Sequence, residues 1–296
     1  MAELPFVVEP AGDSAEVHRL AESAARHWRL DRPELLRTGM NTLFLAGDVV
    51  LRVGRPTADP TAPVWLAGVL AAHGVRVPRY VRAEPVVDGA LAVWAIGRIE
   101  PSGPVDWSEV GQMVARVHDL EPSVVAERYP VPWCSSFPWW QFDVVMPTVV
   151  DLLDGPARDA IEATLARTTG WRDRVDEVVL CHGDVHPGNV VQGPEGPVLL
   201  DWDLVCAGPR AWDHAPLMTW TERWGGEADI YEQFARGYGA TMRGDEVAEA
   251  LAVLRLVAAT LMRVRAGRAD SAARPEAEQR LRWWRGDPSA PMWRAV

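Results

Sequence analysis

Lysine is absent from this chain: all 30 basic residues are Arg. Asparagine occurs twice, at Asn41 and Asn189. With the abundance of Ala, Gly and Pro, this reads as the product of a GC-rich genome. A retained Asn in that background points to a specific task. Cysteine is scarce too. Cys134, Cys181 and Cys206 are odd in number and show no CxxC spacing, which argues against a disulfide framework or a zinc site. No apolar run approaches the roughly 20 residues that span a bilayer. The first residues, MAELPFVVEPAGD, carry no basic segment, so no secretory signal is expected and the expected location is cytoplasmic. Basic excess is lacking as well. The net charge of −11 argues against nucleic acid and anionic membranes as partners, and favours a cationic small molecule.

What remains is ordinary for a globular chain of 296 residues: 48% hydrophobic, 24% charged, long enough for one large domain or two smaller ones. Residues 15–29 show helical spacing. LLRTGMNTLFLAGD and VVLRVG read as two strands joined at Ala46-Gly47-Asp48, with a turn at Thr38–Asn41 inside the first. Residues 63–73 form a helix stopped by Gly74. VRVPRYVRAE and ALAVWAIGRIE read as strands around a turn at Val87-Asp88-Gly89. The expected organisation is an antiparallel-sheet lobe over 1–99 and a mainly helical lobe over 100–296, an α+β class. Helices are expected over 107–119, 142–153, 156–168, 209–223, 227–239, 244–267 and 275–285. No internal repeat is apparent. The sequence leaves monomer or homodimer open.

One stretch breaks the helical pattern: LCHGDVHPGNVVQGPEGPVLLDWDLV, Leu180 to Val205. Polar residues stand here between two apolar runs. Loops at strand ends present chemical groups. Asp184 and Asn189 share one tight loop, and a hairpin would bring Asp201 back beside Asn189. The result is one carboxylate placed as a base, with an amide oxygen and a second carboxylate together. Hard oxygen donors of this kind suit Mg²⁺ bound with phosphate oxygens. Phosphoryl transfer needs these parts, and Asp, four residues, Asn, then Asp is the order protein kinases use.

HGDVHPGN followed by LLDWD resembles the aminoglycoside phosphotransferase and choline kinase family, a branch of the protein-kinase-like fold. GPRAWDHA (208–215) and VARVHDL are similar to segments of the same family. The resemblance spans about 35–265 and is strongest over 180–215. It implies a two-lobed protein-kinase-like fold and an ATP- and Mg²⁺-dependent phosphotransferase acting on a small-molecule hydroxyl. By the same resemblance Asp184 is the catalytic base, and Asn189 and Asp201 hold Mg²⁺. His182 braces the loop, Asp203 supports the metal ligands, and Asp213 anchors the loop. His186 lies beside the phosphate site without an assigned role. In the first lobe Gly39, Asn41 and Arg52 fall where the family grips the nucleotide phosphates, with Arg52 where kinases place Lys. The adenine-contacting hinge falls within Ile96–Glu100, at Ile99.

One departure stands out. Kinases pair that basic residue with a Glu on the next helix, and APVWLAGVLAAH has no acid. Asp59, Asp201 or phosphate alone is left as the partner. For the acceptor, Asp143, Asp151, Glu222 and Asp229 with Trp139, Trp140, Trp220 and Trp224 suit a cationic molecule by charge and by cation–π contact. Each of these taken alone is as well explained as a solvated acid or a core Trp. An antibiotic is the leading acceptor class. The alternatives are a choline, homoserine or sugar kinase and a non-catalytic nucleotide-binding module. A metal-dependent hydrolase would want more clustered His than these seven.

Overall fold

The computed structural model describes residues 10–294; the first nine residues and the last two lie outside it. Helix α1 (Ala15–Trp28) is capped by Ser14, whose hydroxyl accepts the Val17 N–H. Its stripe of Val17, Leu20, Ala21 and Ala24 packs on a five-stranded sheet. The strands are β1 (Glu34–Arg37), β2 (Thr42–Ala46), β3 (Val49–Gly54), β4 (Val86–Asp88) and β5 (Leu91–Gly97). They are ordered β1-β2-β3-β5-β4, every pair antiparallel. Helix α2 (Ala62–Ala72) lies in sequence between β3 and β4.

Two details differ from the sequence reading. The turn at Thr38–Asn41 divides the first expected strand, so three strands form over 34–54. The expected strand VRVPRYVRAE makes only an isolated bridge, Tyr80 to Ile96. Pro78 removes a ladder donor there. The fourth strand is instead Val86–Asp88, where a turn was expected.

The second lobe starts with α3 (Trp107–His118), where Asp106 accepts the Glu109 N–H. Helices α4 (Pro122–Ala126), α5 (Phe142–Val145) and α6 (Gly155–Arg167) follow. The helix expected over 142–153 stops at Val145 and continues as 3₁₀ turns, because Pro147 cannot donate. Strand β6 (Val179–Cys181) pairs with β9 (Cys206–Gly208). Between them β7 (Val190–Gly193) and β8 (Gly196–Leu199) form a hairpin. Then come α7 (Ala211–Met218), α8 (Trp220–Trp224), α9 (Ile230–Tyr238), α10 (Glu246–Ala269) and α11 (Arg274–Trp284). The single helix expected over 209–223 is thus two, broken at Thr219.

Helices α3 and α9 meet at glycine. A Cβ at Gly111 would strike the Phe234 carbonyl, and one at Gly237 the Ser108 carbonyl. The buried face of α2, with Leu66 and Leu70, shares one apolar core with Trp107, Val110 and Val114 of α3. The three cysteines are free and buried. Among the described residues no helix is long and apolar enough to cross a membrane.

Candidate active site

Strand β6 delivers the chain into the loop 182–189. Gly183 sits at φ 94, and a Cβ there would collide with the Leu204 carbonyl, so the loop presses against the 201–205 segment. Its neighbour His182 is fully buried. The ring Nε2 donates to Leu200 O at 2.9 Å, and Nδ1 accepts the Asp184 N–H at 3.2 Å. Burial lowers the His182 pKa, which keeps the ring neutral for that arrangement.

Asp213, in the first turn of α7, is buried beneath the loop. Its carboxylate accepts the N–H of His182 at 2.7 Å and of Gly183 at 2.8 Å. His118 Nε2 lies 3.2 Å away, and Tyr238 completes the chain at 2.8 Å from Nδ1. Burial alone would lower His118, but Asp213 outweighs it and holds the imidazole up to about 9. Cys181 joins this cluster, with its thiol pushed well up by burial.

Asp184 is crowded by donors. Asn189 Nδ2 donates to its Oδ2 and to its backbone O, both at 3.0 Å. His186 Nε2 stands 3.3 Å from Oδ2, while its Nδ1 accepts the Gly188 N–H. Arg255, from the middle of α10, is hydrogen-bonded to Oδ1. Burial would raise the carboxyl, yet His186 and Arg255 hold it far below the usual carboxylate range. The group is ionised throughout the neutral range.

The hairpin brings the second carboxylate round. Leu200 N–H donates to Asn189 O at 2.8 Å, one step beyond the Val190–Leu199 pair. Asp201 follows at φ 57, a left-handed conformation that costs a non-glycine residue energy and turns the chain sharply. Burial in the cleft and the adjacent Asp203 raise Asp201 to about 6, against the pull of Arg52. Its side chain keeps 45% of its surface open to the cleft, which tempers the effect of burial. Asn189 has committed its Nδ2, which leaves Oδ1 as its uncommitted oxygen. Two acids with one shared guanidinium, plus that amide oxygen, fit a hard divalent cation.

Arg52 is ion-paired with Asp203, and its Nη2 lies 3.8 Å from Asp201. Asn41 Nδ2 donates to Asp203 at 3.2 Å, and Trp94 stacks under the guanidinium at 5.4 Å. Asp59, one expected partner, instead accepts the Thr61 N–H at 2.8 Å in the turn ahead of α2. The acid missing from α2 is thus replaced by one from the DWD segment. Helix α2 turns only Ala62, Leu66 and Leu70 into the apolar core. A cleft of about 420 Å³ opens in front of these groups. Arg37, Asn41 and Arg52 line it from the sheet, Ile96 and Ile99 from the hinge, and Asn189, Asp201 and Asp203 from below. Gly39 is not among its lining residues. A Cβ at Gly39 meets only ordinary contact, whereas one at Gly54 would strike Asn41 Oδ1.

The expected acceptor groups do not converge. Trp220 stacks on His186 at 5.1 Å, and Trp224 on Trp220 at 5.1 Å, so these two flank the loop. Trp140 packs in the core against Trp212, and Trp139 stacks on Phe137. Asp151 pairs with Arg268 on the far helices, and Asp229 is exposed ahead of α9. Glu222 is exposed on α8. Asp143 borders a separate cavity of about 480 Å³ beside α5 and α6. Arg255, Tyr80 and Tyr129 had no local signal: each reaches the site through tertiary packing alone.

A sheet lobe, a helical lobe and a polar cleft between them define a kinase-like protein. Residues 41–251 match the phosphotransferase enzyme family, and the chain belongs to it. The fold matches an aminoglycoside phosphotransferase solved with GDP and kanamycin (TM-score 0.69, 18% identity, 93% of this chain and 100% of that one). It also matches a spectinomycin phosphotransferase solved with ADP and spectinomycin (TM-score 0.65, 15% identity, 86% and 89%). A choline/ethanolamine kinase family protein from Mesorhizobium loti gives a TM-score of 0.62 at 18% identity, over 88% of each chain. In sequence, a homoserine kinase of Paraburkholderia xenovorans is 30% identical over 165 residues, 49% of this chain and 47% of that one. A probable ketoamine kinase of Thermus thermophilus is 32% identical over 184 residues, 52% and 63%. The matched segments therefore cover less than two thirds of either curated relative.

Proposed function

We propose that this protein moves the terminal phosphoryl group of ATP to a hydroxyl of a small molecule. The observation that carries the reading is the junction at Asn189. Its side chain holds Asp184 on one side, and its backbone closes the hairpin that ends in Asp201 on the other. Residues up to 99 would hold the nucleotide, with its base between the hinge near Ile99 and the apolar cleft wall. Residues from 100 on would carry the base and the acceptor. Arg52 would turn its fork from Asp203 to the phosphates, with Asn41 beside it. Asn189 Oδ1 and Asp201 would hold Mg²⁺, with Asp203 in support. When bound, the ion offsets phosphate charge.

The acceptor oxygen bonds to the terminal phosphorus while the bond to the bridging oxygen breaks. The nucleoside diphosphate leaves with that electron pair, and the hydroxyl proton passes to Asp184. A carboxylate held this acidic is a weak base, so Asp184 chiefly orients the hydroxyl and takes its proton late. His182 and Asp213 keep the loop in register, and Gly39 shapes the turn beside Asn41. The reaction belongs in the cytoplasm, where ATP is at hand.

Two acceptor classes have separate support. The net charge of −11, and the kanamycin and spectinomycin complexes of the structural neighbours, support a cationic antibiotic. The Arg255 cation on Asp184 supports a smaller acceptor bearing an anion, and the similarity to a homoserine kinase agrees. The local geometry favours the second.

The test is an ATP-consumption screen over antibiotics and small alcohols, with the phosphorylated product confirmed by mass. Asp184→Asn is expected to lower kcat by roughly 100- to 10,000-fold. Removal of Mg²⁺ by chelation should abolish turnover, and its return restore it. A panel with no phosphorylated product, or an Asp184→Asn enzyme with undiminished turnover, defeats the reading.

A further inference from the structure

We propose that Arg255 determines acceptor specificity, and that the acceptor carries a carboxylate a few bonds from its reacting hydroxyl. The inference rests on the phosphotransferase reading above and names the substrate class of that same site.

Both oxygens of Asp184 are occupied. Oδ2 takes Asn189 Nδ2 at 3.0 Å and faces His186 at 3.3 Å; Oδ1 takes Arg255. Oδ2 already faces two donors and Oδ1 one, and each carboxylate oxygen can accept from two, so an incoming hydroxyl enters at Oδ1, beside Arg255. Asn189 cannot yield, because the same Nδ2 also holds the Asp184 backbone O. His186 is clamped between the Gly188 N–H and the face of Trp220. Arg255 has one other hydrogen bond, a long one of 3.4 Å to Gly183 O. It is the donor that stands beside the entering hydroxyl.

Beyond its bonds to Gly183 and Asp184, the Arg255 guanidinium has further N–H donors to offer an acceptor. The Arg255 side chain is only 17% exposed, so it does not reach bulk water from this position. The residues one turn away on α10 are Leu251, Ala252, Ala258 and Ala259, and none is acidic. A buried charge left without a counter-charge is strongly unfavourable. Arg255 keeps Asp184 as its counter-charge until the hydroxyl proton passes to that carboxylate, and an acceptor carboxylate supplies one at that point. A carboxylate matches the planar guanidinium fork with two parallel hydrogen bonds. An amine at the same place would face Arg255 and be repelled. Trp220, stacked on His186, walls the same space with an aromatic face.

The test uses short hydroxy acids of increasing chain length, each beside its amide and its matching amino alcohol. Binding is measured by calorimetry with Mg²⁺ and a non-hydrolysable ATP analogue, and turnover by product mass. The acid of a matched set should bind and react on the order of 100-fold better than its amide, and the amine worst. Arg255→Gln should raise KM for the acid by about tenfold or more while leaving KM for the amide in place. Arg255→Lys should recover part of the acid preference. Melting temperatures of both variants exclude a failure to fold. An amide or amino alcohol used as well as its acid overturns the inference and leaves the phosphotransferase reading intact. So does a variant in which only kcat falls, equally for acid and amide. A panel in which no acid binds better than its amide overturns it whether or not phosphate moves. A panel with no phosphorylated product at all counts against the underlying reading.

Discussion

Asp213→Asn removes the carboxylate that pins the loop from below. Asp213 and His118 are both fully shielded from solvent at the side chain. On folding, burial pushes His118 down, but the Asp213 partner overrides it and takes the ring from 6.5 to about 9. Burial likewise pushes Asp213 up, yet the His118 partner holds it below its ordinary 3.8. A histidine raised on folding contributes its stability in full below pH 6.5 and loses it as pH climbs through 9. An aspartate lowered on folding contributes above pH 3.8 and loses it as pH falls further. The pair is therefore at full strength between these two values.

From 6.5 to 9, at 1.36 kcal/mol per pH unit, the histidine's share is about 3 kcal/mol. One kcal/mol moves the melting temperature of a chain this size by about 2–4 °C. Wild-type protein should thus melt about 6–12 °C lower at pH 9.5 than at pH 6.5 from this pair alone. Asp213→Asn should lose that slope. It should also be weaker at pH 6.5 by about 3 kcal/mol or more, because the His182 and Gly183 N–H groups lose a charged acceptor. Urea unfolding across pH 6–10, with the His118 titration followed by NMR, measures both. Parallel pH profiles for wild type and variant, or a His118 midpoint near 6.5, would refute the reasoning.

Other outcomes follow from close contacts and from the cleft. Gly237→Ala puts a methyl on the Ser108 carbonyl and should destabilise by about 1–3 kcal/mol or more through the parting of α3 and α9. Gly239→Ala, at φ 93 in open space, should cost only about 1–2 kcal/mol of backbone energy, so an equal loss at both sites would contradict the crossing contact. Arg52→Ala removes charged hydrogen bonds to phosphate and should weaken ATP binding by about 10- to 100-fold in calorimetry. Unchanged affinity would put Arg52 outside the nucleotide site.

Much of the fold was legible because its signals are local. The helical spacing over 15–29 and 107–119 is local, and helices form there at Ala15–Trp28 and Trp107–His118. The two-lobed expectation and the family resemblance agree with the fold neighbours and with the matched family. Two boundaries failed where proline acted within a pattern: Pro147 cut short one helix, and Pro78 reduced one strand to a single bridge. Periodicity counts side chains, whereas these failures concern missing N–H donors.

By itself the sequence determined the order of the chemical groups: HGD, then Asn189, then LLDWD, set on strands with a turn between. A hairpin joins neighbours in sequence, so its geometry is already implied by its pattern. Only the tertiary structure decided which charges face them. Arg52 meets Asp203 across 151 residues, and Arg255 meets Asp184 across 71. No periodicity spans such separations. They depend on how β3 faces the 201–205 segment and on where α10 passes the loop. A charge one turn along α10 would be invisible to Asp184, and the sequence alone does not say which turn that is.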